Sequence, residues 1–154
     1  MDLYEEKILD FIQEHAIRAE HLTFQQSCHS VAEAAVAVSA AAEDFVKNIC
    51  MVTVNGEQIV AIVKGEDRAD RFLIGQILNA APPRLATPEE ILAKTGYPCG
   101  GTPSFGYPAT VLIDQRVLAK ECVFTGGGSE TSLIKINTRE LLRASGGQVV
   151  NIKK

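Results

Sequence analysis

The chain has 154 residues, of which 46% are hydrophobic and 22% charged, and carries a formal charge of −4. That length supports one compact domain with a substantial core, and no apolar run reaches the roughly 20 residues a bilayer crossing needs. The mild negative charge excludes a surface that tracks many phosphates, yet leaves room for a local cationic cluster that grips only the end of a nucleic acid.

The first six residues are acidic and lack a basic n-region, so no signal peptide is expected. Tyr4, Ile8, Phe11, Ile12 and His15 recur at intervals of three and four, which predicts an amphipathic helix over residues 2–15. A short strand is expected at 21–24. Ser30 and Glu33 have the spacing of a capping box ahead of an alanine-rich helix running to Ala42. The apolar, β-branched run 45–54, then Asn55-Gly56, then 57–65, reads as a β-hairpin. A helix is predicted over 68–79 with Phe72, Leu73, Ile77 and Leu78 inward, ended by Ala80-Ala-Pro-Pro83. Thr87, Pro88 and Glu90 supply an N-cap, a first-position proline and a third-position carboxylate for a short helix over 88–94. Strands follow at 109–114, 119–125 and 132–136. Asn137 and Glu140 cap a last short helix, and 148–152 is placed to close the sheet. With no repeat or composition break, the whole chain, 1–154, reads as one α+β domain with a mostly antiparallel or mixed sheet.

The chemistry concentrates in two places. The segment Gly96–Gly106 holds four glycines and two prolines in eleven residues, so it continues neither helix nor central strand. Such a loop either turns a corner or brings bare backbone close to a ligand. Lys47 lies inside an apolar strand, where a cation is costly to bury without a partner. Together they suggest a pocket of backbone amides and one cation, suited to an anionic or carbonyl-bearing ligand.

Other candidates read as structural. His15 and His21 fall on a helix face and beside a strand, and Cys28-His29 has no nearby metal-ligand partners. The scattered cysteines (Cys28, Cys50, Cys99, Cys122) contain no Cys-x-x-Cys pair and read as reduced thiols of a cytoplasmic protein. Only Cys99, inside the glycine loop, is placed for nucleophilic work. Gly126-Gly-Gly128 is either a hairpin turn or a second backbone wall of the pocket. Asp114, at a strand end, is a turn-former or a polar support.

From about Val31 to Leu142 the chain resembles the YbaK-type, prolyl-tRNA synthetase-associated editing domains. The resemblance rests on VAEAA, the lysine in FVKNICMV, the hairpin EQIVAIVKG, the loop GYPCGGTPSFG, the strand TVLID and LIKINTRELL, in that order. It implies a mixed, partly curled β-sheet with flanking helices and no metal or organic cofactor. It places Lys47 on the family's essential lysine, and Gly100 and Gly101 on the glycine pair of the catalytic pocket. Asn48, Thr102, Ser104, Phe105, Gly127, Gly128 and Asp114 become candidate substrate-binding residues. Two positions depart from the common pattern: Ser104 stands where many members have proline, and Asn48 follows the lysine where Ser or Thr is frequent.

The implied activity is hydrolysis of the ester of a mischarged small amino acid (Ala, Ser, Thr or Cys) on tRNA, with tRNA(Pro) one candidate, by a free-standing domain acting in trans. The implied partners are the acceptor end of that aminoacyl-tRNA and an aminoacyl-tRNA synthetase, with no membrane; Lys64, Arg68 and Arg71 are candidate cations for the acceptor stem. The substrate's own 2′-hydroxyl is expected to help move the proton. The alternatives are a non-catalytic tRNA- or synthetase-binding module of the same fold, and a small-molecule hydrolase built on Cys99.

Overall fold

A computed structural model describes residues 2–154. Helix α1 (Leu3–Glu14) begins at Asp2, whose carboxylate accepts from the N–H groups of Tyr4 and Glu5. Strand β1 (Ala19–Thr23) precedes α2 (Val31–Val38) and a 3-10 turn at Ala42–Asp44. The hairpin strands β2 (Val46–Val52) and β3 (Gln58–Lys64) pair antiparallel around Gly56, whose φ of +81° suits glycine. Then come α3 (Arg71–Leu78), the two-residue β4 (Arg84–Leu85) and α4 (Pro88–Thr95). Strand β5 (Thr110–Asp114), a 3-10 helix (Gln115–Ala119), β6 (Cys122–Gly126), β7 (Ser132–Asn137), α5 (Thr138–Ser145) and β8 (Gln148–Val150) complete the chain.

The expected single sheet resolves into two. A five-stranded mixed sheet runs β4-β2-β3-β5-β8, and a three-stranded antiparallel sheet runs β1-β7-β6. One parallel bridge, Phe45 to Phe124, joins them, and the two rings stack at 5.1 Å. The curl is therefore real but open. Between the sheets lies the main core, with Ile8, Val60, Ile62, Ile113, Val123 and Ile134 all buried. The other face of the large sheet packs Ile59, Ala61 and Val63 of β3 on Ile74 of α3 and Ile152. Strand β3 is thus covered on both faces, which explains its continuous apolar run.

Local signals meet different fates. Thr87 and Glu90 form the complete capping box, and Glu90 also binds Arg84 at 2.7 Å. Ser30 caps α2 through Glu33 N–H, but the Glu33 carboxylate turns away to accept from Ser27 Oγ at 2.5 Å. Asn137 caps α5, whereas Glu140 pairs with Arg143 and accepts from Arg18 N–H. Helix α3 starts later than expected, after Asp70 as N-cap, and buries Ile74 and Gly75. Phe72 is 68% exposed, contrary to the expected inward face. The cause is tertiary: Gly75 packs against the chain returning through Ala80 and Pro82, where an added Cβ would stand 2.9–3.1 Å from backbone atoms. Among the described residues, no helix is long and apolar enough to cross a membrane.

Candidate active site

A cavity of about 440 Å³ opens at the seam between the two sheets. That volume lies within the roughly 300–1,000 Å³ common for small-ligand sites. Its apolar wall is built from the satellite core under α2, with Ala34, Phe45 and Leu133, and with Phe124 packed against them. Its polar wall comes from the start of β2, the loop 96–106 and the end of β6.

Lys47 lines this cavity. It is only half-buried, and its ammonium has neither an ion pair nor a hydrogen bond among the described residues. Burial pushes it below the usual lysine range, the neighbouring Arg68 charge pushes the same way, and Asp67 opposes both. A desolvated cation without a partner is a group kept ready for an anionic or carbonyl oxygen.

The loop presents donors to the same space. Its carbonyls at Pro98, Gly101, Thr102 and Pro103 all accept protein hydrogen bonds. In contrast, the N–H groups of Cys99, Gly100 and Thr102 have no acceptor among the described residues, and all three residues line the cavity. The loop's acceptors are thus tied within the protein, while three of its donors, on residues that line the cavity, remain without a protein acceptor among the described residues.

Asn48 adds a closed polar ring. Ser104 Oγ donates to Asn48 Oδ1 at 2.6 Å, and Asn48 Nδ2 donates to Thr125 Oγ1 at 3.0 Å. Ser104 and Thr125 hydroxyls are 2.7 Å apart. Since the Ser104 proton goes to Asn48, Thr125 must be the donor to Ser104, and the three bonds run in one direction. The second Asn48 Nδ2 hydrogen reaches the Thr102 carbonyl at 3.0 Å. Ser104 and Asn48, the two departures from the common family pattern, therefore contact each other. They fasten β2, the glycine loop and β6 at one point.

The sequence-predicted residues divide sharply. Lys47, Asn48, Gly100 and Thr102 line the cavity. Ser104 lies one layer behind, fully buried. Gly101 also lies behind: its N–H donates to Pro98 and its carbonyl accepts from Gly128 N–H at 2.7 Å. A Cβ there would stand 2.7–2.8 Å from the Ser129 backbone, so this glycine permits close packing rather than facing a ligand. Gly126 lines the cavity in place of the expected Gly127 and Gly128. Gly127 lies off the cavity, its carbonyl accepting from His21 Nε2 at 2.9 Å, and Gly128, at φ +103°, abuts Tyr4. Phe105 is a core residue near Phe11. Asp114 is fully buried away from the cavity; its carboxylate caps the 115–119 turn and accepts from Ile152 and Lys153 N–H.

Two expected acceptor-stem cations are otherwise engaged. Lys64 is buried against Glu66 at 3.0 Å, and Arg71 donates to the Pro83 carbonyl at 2.6 Å. Arg68 remains exposed next to Lys47. His29, read from the sequence as structural, lines the cavity; only its position beside the helix-capping Ser30 marked it.

A mixed-sheet α+β domain with a partly desolvated lysine and a donor-rich glycine loop on one small cavity has a site suited to an anionic or carbonyl oxygen. The comparisons make that class specific. The chain belongs to the aminoacyl-tRNA editing domain family, whose model matches residues 25–144. It is 28% identical over 111 residues to a proline–tRNA ligase of Solidesulfovibrio magneticus, covering 71% of this chain but 19% of the ligase. The chain thus spans about one fifth of the ligases it matches. An uncharacterized Bacillus subtilis protein, YwhH, is 25% identical over 128 residues, covering 82% of this chain and 81% of its own. A crystal structure described as a candidate trans-editing enzyme for prolyl tRNA synthetase superposes with TM-score 0.92 at 27% identity. It covers 100% of this chain and 99% of its own.

Proposed function

We propose that this chain hydrolyses the ester joining a small amino acid (Ala, Ser, Thr or Cys) to the terminal ribose of a mischarged tRNA, acting in trans. The observation that carries this reading is the convergence of partnerless Lys47 and the free loop N–H groups on one cavity. The family and the near-complete match to a candidate trans-editing enzyme support it.

Water attacks the ester carbonyl, and negative charge develops on its oxygen. The N–H groups of Gly100 and Thr102 stabilise that charge where a side chain at 100 would obstruct them; losing one such donor costs about 2.7–4 kcal/mol of barrier in other enzymes. Lys47 anchors the terminal phosphate or the carbonyl side of the substrate as a fixed charge. Exposed Arg68 extends that positive potential towards the acceptor end. Editing has a thermodynamic motive, because one methylene discriminates by only about 1–3 kcal/mol in a synthetase pocket.

The test is single-turnover deacylation of Ala-, Ser-, Thr- and Cys-tRNA(Pro), with tRNA(Ala) and tRNA(Thr) as further acceptors. Loss of the label above the uncatalysed rate is the expected result. Binding that protects every ester from hydrolysis would make the chain a non-catalytic binding module.

A further inference from the structure

Cations gather around Arg68, beside the cavity, although the chain as a whole carries −4. Gly65, immediately after β3, lines the cavity, and the chain then leaves the sheet in a turn closed by Asp67 N–H to the Lys64 carbonyl at 2.9 Å. Residues 152–154, beyond β8, return to lie against this turn. Asp114 pins them: one of its carboxylate oxygens accepts from Ile152 N–H at 2.9 Å and from Lys153 N–H at 3.0 Å. Ala69 and Lys153 then form an antiparallel bridge. Asp70 N–H bonds the Ile152 carbonyl at 2.7 Å on one side of it, and Lys154 N–H bonds the Arg68 carbonyl at 2.8 Å on the other. The buried carboxylate that stands away from the cavity thus decides where two lysines lie.

The charges of this cluster sort by depth. Asp67 is buried and takes Arg116 Nη1 on both oxygens at 2.6 Å, with Lys153 Nζ 4.0 Å away. Glu66 is shared by Lys64 at 3.0 Å and Arg116 at 3.5 Å. Asp70 caps α3, its carboxylate accepting from Phe72 and Leu73 N–H. Arg68 and Lys154 are exposed, and neither has an ion pair among the described residues. The bridge sets these two opposite each other, so both side chains leave from one face. Directly opposite Cβ atoms in an antiparallel pair stand about 4.5–5.5 Å apart, and like charges there repel. Arg68 also lies close enough to Lys47 to make its ammonium less basic. Cations that oppose each other in the fold, next to the cation of the cavity, suit a partner that brings several negative charges.

Resting on the deacylase reading, we infer that Arg68 and Lys154, held together by the tail bridge, form a docking surface for the phosphodiester backbone of the acceptor strand. The phosphates that precede the esterified ribose lie across this pair while the ester itself enters the cavity beside Lys47. Arg116 and Lys153 serve the surface indirectly, by neutralising the Asp67 carboxylate beneath it. Contacts of this kind fix register and orientation without reading sequence. The surface therefore sets how firmly the strand is held, and the cavity sets which acyl group is accepted.

The experiment measures kcat and KM between about 50 and 200 mM salt on the best substrate of the Ala-, Ser-, Thr- and Cys-tRNA(Pro) panel, for wild type, R68Q, K154Q and the double variant. KM should rise in each variant, with kcat nearly constant. Each lost phosphate contact should lower the slope of log KM against log salt by about 0.7–1, and the double variant should lose about twice that. K94Q is the control: Lys94 donates to the Gly56 carbonyl at the hairpin tip, the far end of β2 and β3 from Lys64, and its variant should keep the wild-type slope. The aminoacyl ester of adenosine lacks the preceding phosphates, so wild type, R68Q and K154Q should hydrolyse it alike. Removing one of two opposed like charges should leave the thermal midpoint unchanged or raised. A wild type that deacylates alongside variants of unaltered KM and salt slope overturns the docking surface and leaves the deacylase reading standing. Variants equally impaired on the adenosine ester, or with lowered midpoints, overturn it as well. A wild type that deacylates nothing overturns both.

Discussion

Removing the Ser104 hydroxyl tests whether the Asn48–Ser104–Thr125 ring holds the site together. Ser104→Ala deletes the donor to Asn48 Oδ1 and the acceptor for Thr125. Asn48 is half-buried beside the cavity and can recruit water, but Thr125 is only 1% exposed and cannot. A buried group left unsatisfied costs about 1–3 kcal/mol, and an exchangeable one about 0.5–1.5. The expected loss is therefore about 2 kcal/mol, mostly from Thr125. For a domain of this size each kcal/mol moves the midpoint by about 2–4 °C, giving a fall of about 4–8 °C by calorimetry. Pairing Ser104→Ala with Asn48→Ala should reveal a coupling of about 0.5–3 kcal/mol, because both delete the same bond. A midpoint shift below about 2 °C, or strictly additive variants, would refute the ring as a structural clasp.

Lys47→Ala should abolish deacylation while changing stability by less than about 0.5 kcal/mol, since among the described residues the ammonium has no ion pair or hydrogen bond to lose; near-normal turnover would remove its role. Gly101→Val should destabilise by about 1–3 kcal/mol or more in urea, because the side chain meets the Ser129 backbone, and a variant of wild-type stability would contradict that packing. Glu90 and Glu140 are held at about 2, chiefly by Arg84 and Arg143. Lowered carboxylates stabilise above their unfolded value, so the thermal midpoint should drop as pH falls from 4.5 towards 2. The E90Q/E140Q double variant should flatten that drop, and an equally steep limb would show the pairs to be inert. Cys99→Ala should retain deacylation; its loss would favour the thiol hydrolase. Iodoacetamide should spare Cys50, whose thiol is pushed up to about 12 by burial, then by Cys99.

Features encoded within a few residues were legible from the sequence. Asn55-Gly56 announces its hairpin, and Thr87, Pro88 and Glu90 announce α4, because each signal satisfies its own backbone. The failures depend on distant chain. The inward face of α3 is set by Ala80 and Pro82 folding back on Gly75, which no periodicity within the helix records. Asp114 reads as polar support for a pocket, yet its acceptors are consumed by residues 152 and 153, nearly forty positions later. Gly100 and Gly101 are indistinguishable as letters; only the His29 ring over one and the Ser129 backbone against the other separate them. His29 gave no signal beyond its place next to Ser30, because its neighbour Glu130 is a hundred residues away in sequence.

The Phe45–Phe124 bridge makes the width of the chamber a property of the ring pair that joins two separately hydrogen-bonded β-layers. A bulkier or slimmer ring at either position would act as a spacer, parting or closing the layers while leaving Lys47 and the amide donors in place. Under the deacylase reading proposed above, such a domain could be refitted to a different acyl group by adjusting its shim alone.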